Sequence, residues 1–85
     1  MRRFAYFYFM KNEPESISRT IGAHVEHWQS SALTDYMAGP FSDRSGGLVS
    51  FSAESPKQAD SLVRNDPFVV ADLVAQKWLK EWQVE

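Results

Sequence analysis

Between Pro14 and Ser31 the apolar positions recur with the period of a helix. At about 100° per residue, Ile17, Ile21, Val25 and Trp28 fall along one stripe, while Glu26 points roughly the opposite way. His24 falls inside the stripe. An amphipathic helix buries such a stripe against a core, so a titratable ring stands where a hydrophobe is expected. Two uses fit it. The ring can sit at the core edge, satisfied by a backbone carbonyl or a tyrosine hydroxyl, or it can serve as a general base or ligand contact aimed into a pocket. Gly22, which costs a helix about 1 kcal/mol relative to alanine, suggests close packing beside His24.

Ahead of this helix, Phe4 to Met10 carries aromatics and no helix breaker, and reads as a strand. Both faces are apolar: Phe4, Tyr6, Tyr8 and Met10 on one, Ala5, Phe7 and Phe9 on the other. Such a strand sits mid-sheet with both sides covered. So short a chain supplies helices for one side only, and the other face is expected to meet a second copy. Pro14 suits the first turn of the helix, and Glu13 and Glu15 favour its positive end.

Leu33 to Phe41 reads as a second strand and Leu48 to Ser52 as a third, joined across the turn-forming run Ser42-Asp43-Arg44-Ser45-Gly46-Gly47. Ser55-Pro56-Lys57-Gln58 opens a second helix, with Ser55 as cap and Gln58 completing a capping box. That helix ends near Asn65, and Asp66-Pro67 starts a further short turn through about Leu73. Val74 to Glu85 fits a helix through Val74, Trp78 and Trp82, and equally a strand face through Trp78, Lys80, Trp82 and Val84. Should it be a strand, the order matches the split β-α-β of an α+β, ferredoxin-like (βαββαβ) antiparallel sheet with both helices on one face.

Composition narrows the function classes. The chain of 85 residues is one domain, 1-85. Without cysteine it has no disulfides or thiolate metal sites. The net charge of -2 names no partner, and the scattered basic residues form no stripe for a phosphate backbone, so nucleic acid is not expected. The basic start at Met1-Arg2-Arg3 precedes too short and too aromatic a run for a signal peptide, and no stretch reaches membrane-spanning length. A cytoplasmic, soluble protein is the expectation. The glycines of the hairpin loop precede neither Lys-Ser nor a helix, so they make no phosphate cradle. No dinucleotide fingerprint, nucleophile elbow or metal site is visible. His24 and His27 could chelate at helical spacing but lack a partner ligand.

Several short motifs, in order, resemble the YCII (YciI-like) family of small dimeric α+β barrel proteins. They are His24-Val25-Glu26-His27-Trp28, Ala38-Gly39-Pro40-Phe41, the loop Ser42 to Gly47, Ser55-Pro56 with Ala59, and Asn65-Asp66-Pro67-Phe68-Val69. The resemblance spans nearly the whole chain. It implies a ferredoxin-like subunit packed through its sheet face as a homodimer, and it makes the tail a fourth strand. The family's characteristic histidine maps to His24, with His27 as a competitor, and its characteristic aspartate maps to Asp66.

If Asp66 meets His24, its carboxylate fixes the ring tautomer and favours the protonated form, and such a histidine shuttles protons near neutral pH. Asp66 also has the position of a helix N-cap, and the two roles are compatible. Arg44 in the hairpin loop, Tyr6 on the first strand and Phe68 beside Asp66 are the candidate substrate contacts. Tyr8 shares the face of Tyr6, and either tyrosine is equally a core residue with one wet end. The expectation is an enzyme working without cofactor or metal on a small organic molecule by His24/Asp66 acid-base chemistry, and the resemblance implies a cyclic or aromatic one. The alternative is a non-catalytic dimeric module that binds a small ligand or another protein.

Overall fold

The computed structural model describes residues 1-85. Strand β1 (Arg2–Met10) leads into helix α1 (Pro14–Ser30), then β2 (Thr34–Pro40), β3 (Gly46–Ala53), α2 (Pro56–Arg64), the short α3 (Pro67–Val70) and β4 (Val74–Glu81). The four strands form one antiparallel sheet in the order β2-β3-β1-β4. This is the ferredoxin-like α+β fold, with the tail as its fourth strand. No helix is long and apolar enough to cross a membrane.

The double-faced β1 lies between β3 and β4, as its composition demands. On the helix side Phe4, Tyr6 and Tyr8 are buried, paired with Phe51, Val49 and Gly47 of β3. Trp28 of α1, Ala59 and Val63 of α2, Phe68 of α3 and Leu73 complete that core. The other side has no helix over it. There Phe7 stacks on Trp78 at 5.4 Å between centroids, and Phe9 meets Trp78 edge-on and Phe41 at a tilt.

Three expectations from the hydrophobic pattern need correction. Ile21 and Val25, placed on the buried stripe of α1, are 48% and 41% exposed, while His24 and Trp28 are the buried residues of the helix. The buried arc is narrower than the apolar one and centres on His24. Gly22 has open space where its side chain would be, so it gives His24 no packing room. Gly46 and Gly47, read as loop, begin β3 because a side chain at Gly46 would strike the Tyr8 backbone and one at Gly47 would lie 2.6 Å from the Tyr8 hydroxyl oxygen. Only a bare backbone lets β1 and β3 pair under that ring.

Local capping follows the sequence closely. The Ser55 hydroxyl accepts from the Gln58 N–H at 3.1 Å. The Gln58 side chain reaches back one residue further than a capping box requires, accepting from the Glu54 N–H at 2.7 Å. Asp66 caps α3 by accepting the Phe68 N–H at 2.9 Å.

Candidate functional site

The turn from α2 into α3 brings Asp66 beneath the middle of α1. Pro67 holds the first position of α3, so the Asp66 backbone is extended and its side chain is free to cap. The same carboxylate receives two side chains of α1 from one turn of helix. The Nδ1 of His24 lies 2.8 Å from Oδ1 and 2.9 Å from Oδ2. The Trp28 indole N–H donates to Oδ2 at 2.9 Å. Residues four apart on a helix stand on one face, which is why one acid serves both. Asp66 is 0% exposed, and three N–H donors converge on it. A buried carboxylate is stable in its acceptor-only form when so surrounded.

With Nδ1 committed to Asp66, the proton of the neutral His24 ring belongs on Nδ1 and Nε2 is left as an acceptor. Nε2 meets the Tyr8 hydroxyl at 3.2 Å, so Tyr8 donates to it. Burial pushes the Tyr8 hydroxyl well above the usual phenol range, with Asp66 and Tyr36 adding to the effect. The hydroxyl therefore stays protonated and remains a donor at neutral pH. Phe68 closes the ring from one side, stacked on the imidazole at 4.1 Å between centroids and 16° between planes. The result is a buried chain of hydrogen bonds, Asp66 to His24 to Tyr8. Its only openings are the small exposed fractions of His24 (8%) and Tyr8 (5%).

His27, the competing histidine, lies elsewhere. Its Nε2 donates to the Leu62 carbonyl of α2 at 2.8 Å, and its ring stands edge-on to Trp28. Tyr6 is fully buried beneath Tyr8, stacked on it at 5.1 Å and on Trp28 at 5.9 Å, and its hydroxyl has no hydrogen-bond partner. As a substrate contact Tyr6 is thus out of reach, and the hydroxyl on the histidine is that of Tyr8. Arg44 sits at the exposed hairpin tip in the left-handed region, at φ 65°, and pairs with none of the site residues. Phe68 does reach the site, through the imidazole.

Two contacts of the candidate site escape sequence reasoning. Tyr8 was indistinguishable from Tyr6 on the same strand face, and Trp28 reads as core. The glycine opposite Tyr8 was the one available signal, since it marks a position where a large ring needs room. No group of three or more His, Asp or Glu side chains is placed to hold a metal ion.

No known family profile matches the chain, and no curated protein matches it significantly. Solved structures do. The chain is similar to 5-chloro-2-hydroxyhydroquinone dehydrochlorinase from Burkholderia phenoliruptrix AC1100, in complex with 2,5-dihydroxybenzoquinone, with a TM-score of 0.83 and 22% identity over 98% of this chain and 95% of that one. It is also similar to an antibiotic biosynthesis monooxygenase, with a TM-score of 0.70 and 14% identity over 100% of this chain and 99% of that one. These likenesses show the fold alone: a four-stranded antiparallel sheet with its helices on one face, shared over nearly the whole of each chain.

Proposed function

We propose that the chain is an enzyme that moves protons on a small aromatic or related cyclic molecule, using its own side chains. The observation that carries this is the buried Asp66–His24–Tyr8 chain of hydrogen bonds. A general base needs a free ring nitrogen within hydrogen-bond reach of the proton it takes, and the carboxylate at Nδ1 leaves Nε2 free. In this reading Nε2 takes the Tyr8 proton as the Tyr8 oxygen takes one from substrate. One proton thereby arrives on the imidazole, Tyr8 is unchanged, and Asp66 faces the resulting cation. The reverse passage returns a proton to product. Isomerisation, elimination and hydrolysis all use such a cycle. The name and ligand of the dehydrochlorinase support the choice of a hydroxylated ring as substrate.

The same contact supports placing the chain in the YCII (YciI-like) family, since His24 and Asp66 are the residues that the resemblance pairs. We further propose a homodimer closed through the uncovered sheet face. Phe7, Phe9, Phe41 and Trp78 cluster there, and burying them offers about 25 cal/mol per Å². Light scattering at micromolar concentration should return twice the chain mass; a single-chain mass overturns the dimer.

Turnover tests the chemistry. Wild-type protein and the His24→Ala and His27→Ala variants are incubated with chlorinated and unchlorinated hydroxybenzenes, and products are followed by chromatography. His24→Ala should lose about a hundredfold to ten-thousandfold in rate, with His27→Ala close to wild type. Turnover retained by His24→Ala, or ligand returned unchanged by the wild type, overturns the acid-base reading. The second result moves the protein to the class of binding modules.

A further inference from the structure

We propose that Tyr36 is a substrate-binding residue, closing the β2 side of an open trough that leads to Tyr8 and His24 and holds a flat, hydroxylated ring. The inference rests on the acid-base reading of that site and adds the surface that would hold the substrate.

The pairing of β2 with β3 contains a bulge. Thr34 pairs with Ser52 and Met37 with Ser50, so three steps along β2 match two along β3. Asp35 takes up the extra length at φ 52°, in the left-handed region that side chains other than glycine rarely adopt. Arg3 holds it there from the central strand. One guanidinium nitrogen donates to the Asp35 carbonyl at 2.6 Å and the other to the Ser50 hydroxyl at 2.6 Å. Bulges of this kind re-aim a side chain, often beside a functional site. Here Met37 faces the uncovered side of the sheet opposite Ser50, and its neighbour Tyr36 turns to the helix side, where it packs against the core. Tyr36 comes close enough to Tyr8 to act on its hydroxyl electrostatically.

No helix covers β2 on that side, and Ala38 and Pro40 are exposed. The His27 flank of α1 is held by α2 through the Leu62 carbonyl, and α2 packs against β4 and β3, leaving β2 at the far edge without it. The opposite flank, which carries the exposed Ile21 and Val25, therefore overhangs the β2 half. A trough results, with Ile21 and Val25 on one wall, Tyr36 on the other, Ala38 and Pro40 along the floor, and Tyr8 at its inner end. This also explains two exposed hydrophobes on α1 that the core does not use. The trough is apolar, and its polar groups are two phenol hydroxyls. That chemistry suits an uncharged planar ring bearing hydroxyl or carbonyl oxygens, with the Tyr36 hydroxyl meeting an oxygen remote from the reacting one.

The probes are 2,5-dihydroxybenzoquinone and 1,2,4-trihydroxybenzene, titrated into the full chain, its Tyr36→Phe and Tyr36→Ala variants, and His24→Ala. Calorimetry gives affinity and NMR follows the His24 ring and the Tyr36 ring. The wild type should bind with both rings perturbed. Loss of one hydrogen bond in Tyr36→Phe should weaken binding roughly fivefold, and loss of the ring contact as well in Tyr36→Ala at least about twentyfold. Tyr36→Phe keeps the packing, so its effect does not pass through folding. Binding that perturbs the His24 ring yet ignores both Tyr36 variants overturns this inference alone. Failure of the wild type to bind either probe overturns it together with the acid-base reading.

Discussion

His24 and His27 stand three residues apart on one helix, yet the fold gives them opposite surroundings. His24 points at the sheet, where it finds a buried carboxylate on one nitrogen and a tyrosine hydroxyl on the other. His27 points along the helix layer, where it donates to a backbone carbonyl of α2 and serves the packing of two helices. The difference is a rotation of about 60° around α1. It teaches that what each ring can do is set by what the neighbouring elements deliver to it, since both rings lie on the same helix within one turn.

The sharpest way to break the contrast is to remove what His24 alone possesses. Asp66→Ala strips the acceptor from His24, Trp28 and the Phe68 N–H together. It should destabilise the protein by about 3–5 kcal/mol, against about 1 kcal/mol for His27→Ala, which loses one hydrogen bond to a carbonyl. Urea unfolding checks both, and equal losses would mean that the buried network is no tighter than an ordinary helix contact.

Alkaline pH reaches the His24 side through its tyrosine. Burial raises the hydroxyls of Tyr6 and Tyr8 above their ordinary value of 10.0. Below pH 10 the folded and unfolded chains hold these protons equally. Above it the unfolded chain releases them first, so it binds fewer protons and stability falls with pH, by about 1.4 kcal/mol per unit for each tyrosine involved. Tyr8→Phe should flatten that decline in thermal melts between pH 9 and 11, whereas His27→Ala should leave its slope unchanged.

Gly22→Ala tests the helix on which both rings ride. Nothing surrounds that position, so the substitution should stabilise by about 1 kcal/mol and leave both environments intact. A loss of stability in urea would restore a packing role for the glycine.

The finest distinction involves one proton. Asp66 holds the neutral His24 ring in its Nδ1–H form, and the Leu62 carbonyl holds His27 in its Nε2–H form. Long-range proton–nitrogen NMR spectra of the neutral rings should show the two tautomers side by side. An Nε2–H form at His24 would remove the free Nε2 on which the acid-base reading depends, and an Nδ1–H form at His27 would break only the contrast between the two rings.

Much of this was visible in the chain. The period of Phe4 to Met10 set a two-faced central strand, Ser55-Pro56 and Asp66-Pro67 set two helix starts, and His24 stood out because a polar ring interrupted an apolar stripe. These are local facts: side-chain direction alternates along a strand and rotates along a helix, and proline and its cap act within one turn. Periodicity alone left the tail open because Trp78 and Trp82 satisfy both periods; the resemblance made it a strand, and its hydrogen bonds to β1 show that it is one.

Other features depended on residues far apart in the chain. That Asp66 would meet His24 across 42 residues, and share its carboxylate with Trp28, required α3 to pack beneath α1. That Tyr8 and not Tyr6 would reach the imidazole depended on Gly47 lying opposite it on β3. That Ile21 and Val25 would stay half-exposed depended on α2 meeting α1 on its opposite, His27 flank. Sequence determines which faces are apolar and where elements begin. Which polar groups end up sharing a buried volume is decided by packing, because desolvation makes each of them find a partner only where the elements finally meet.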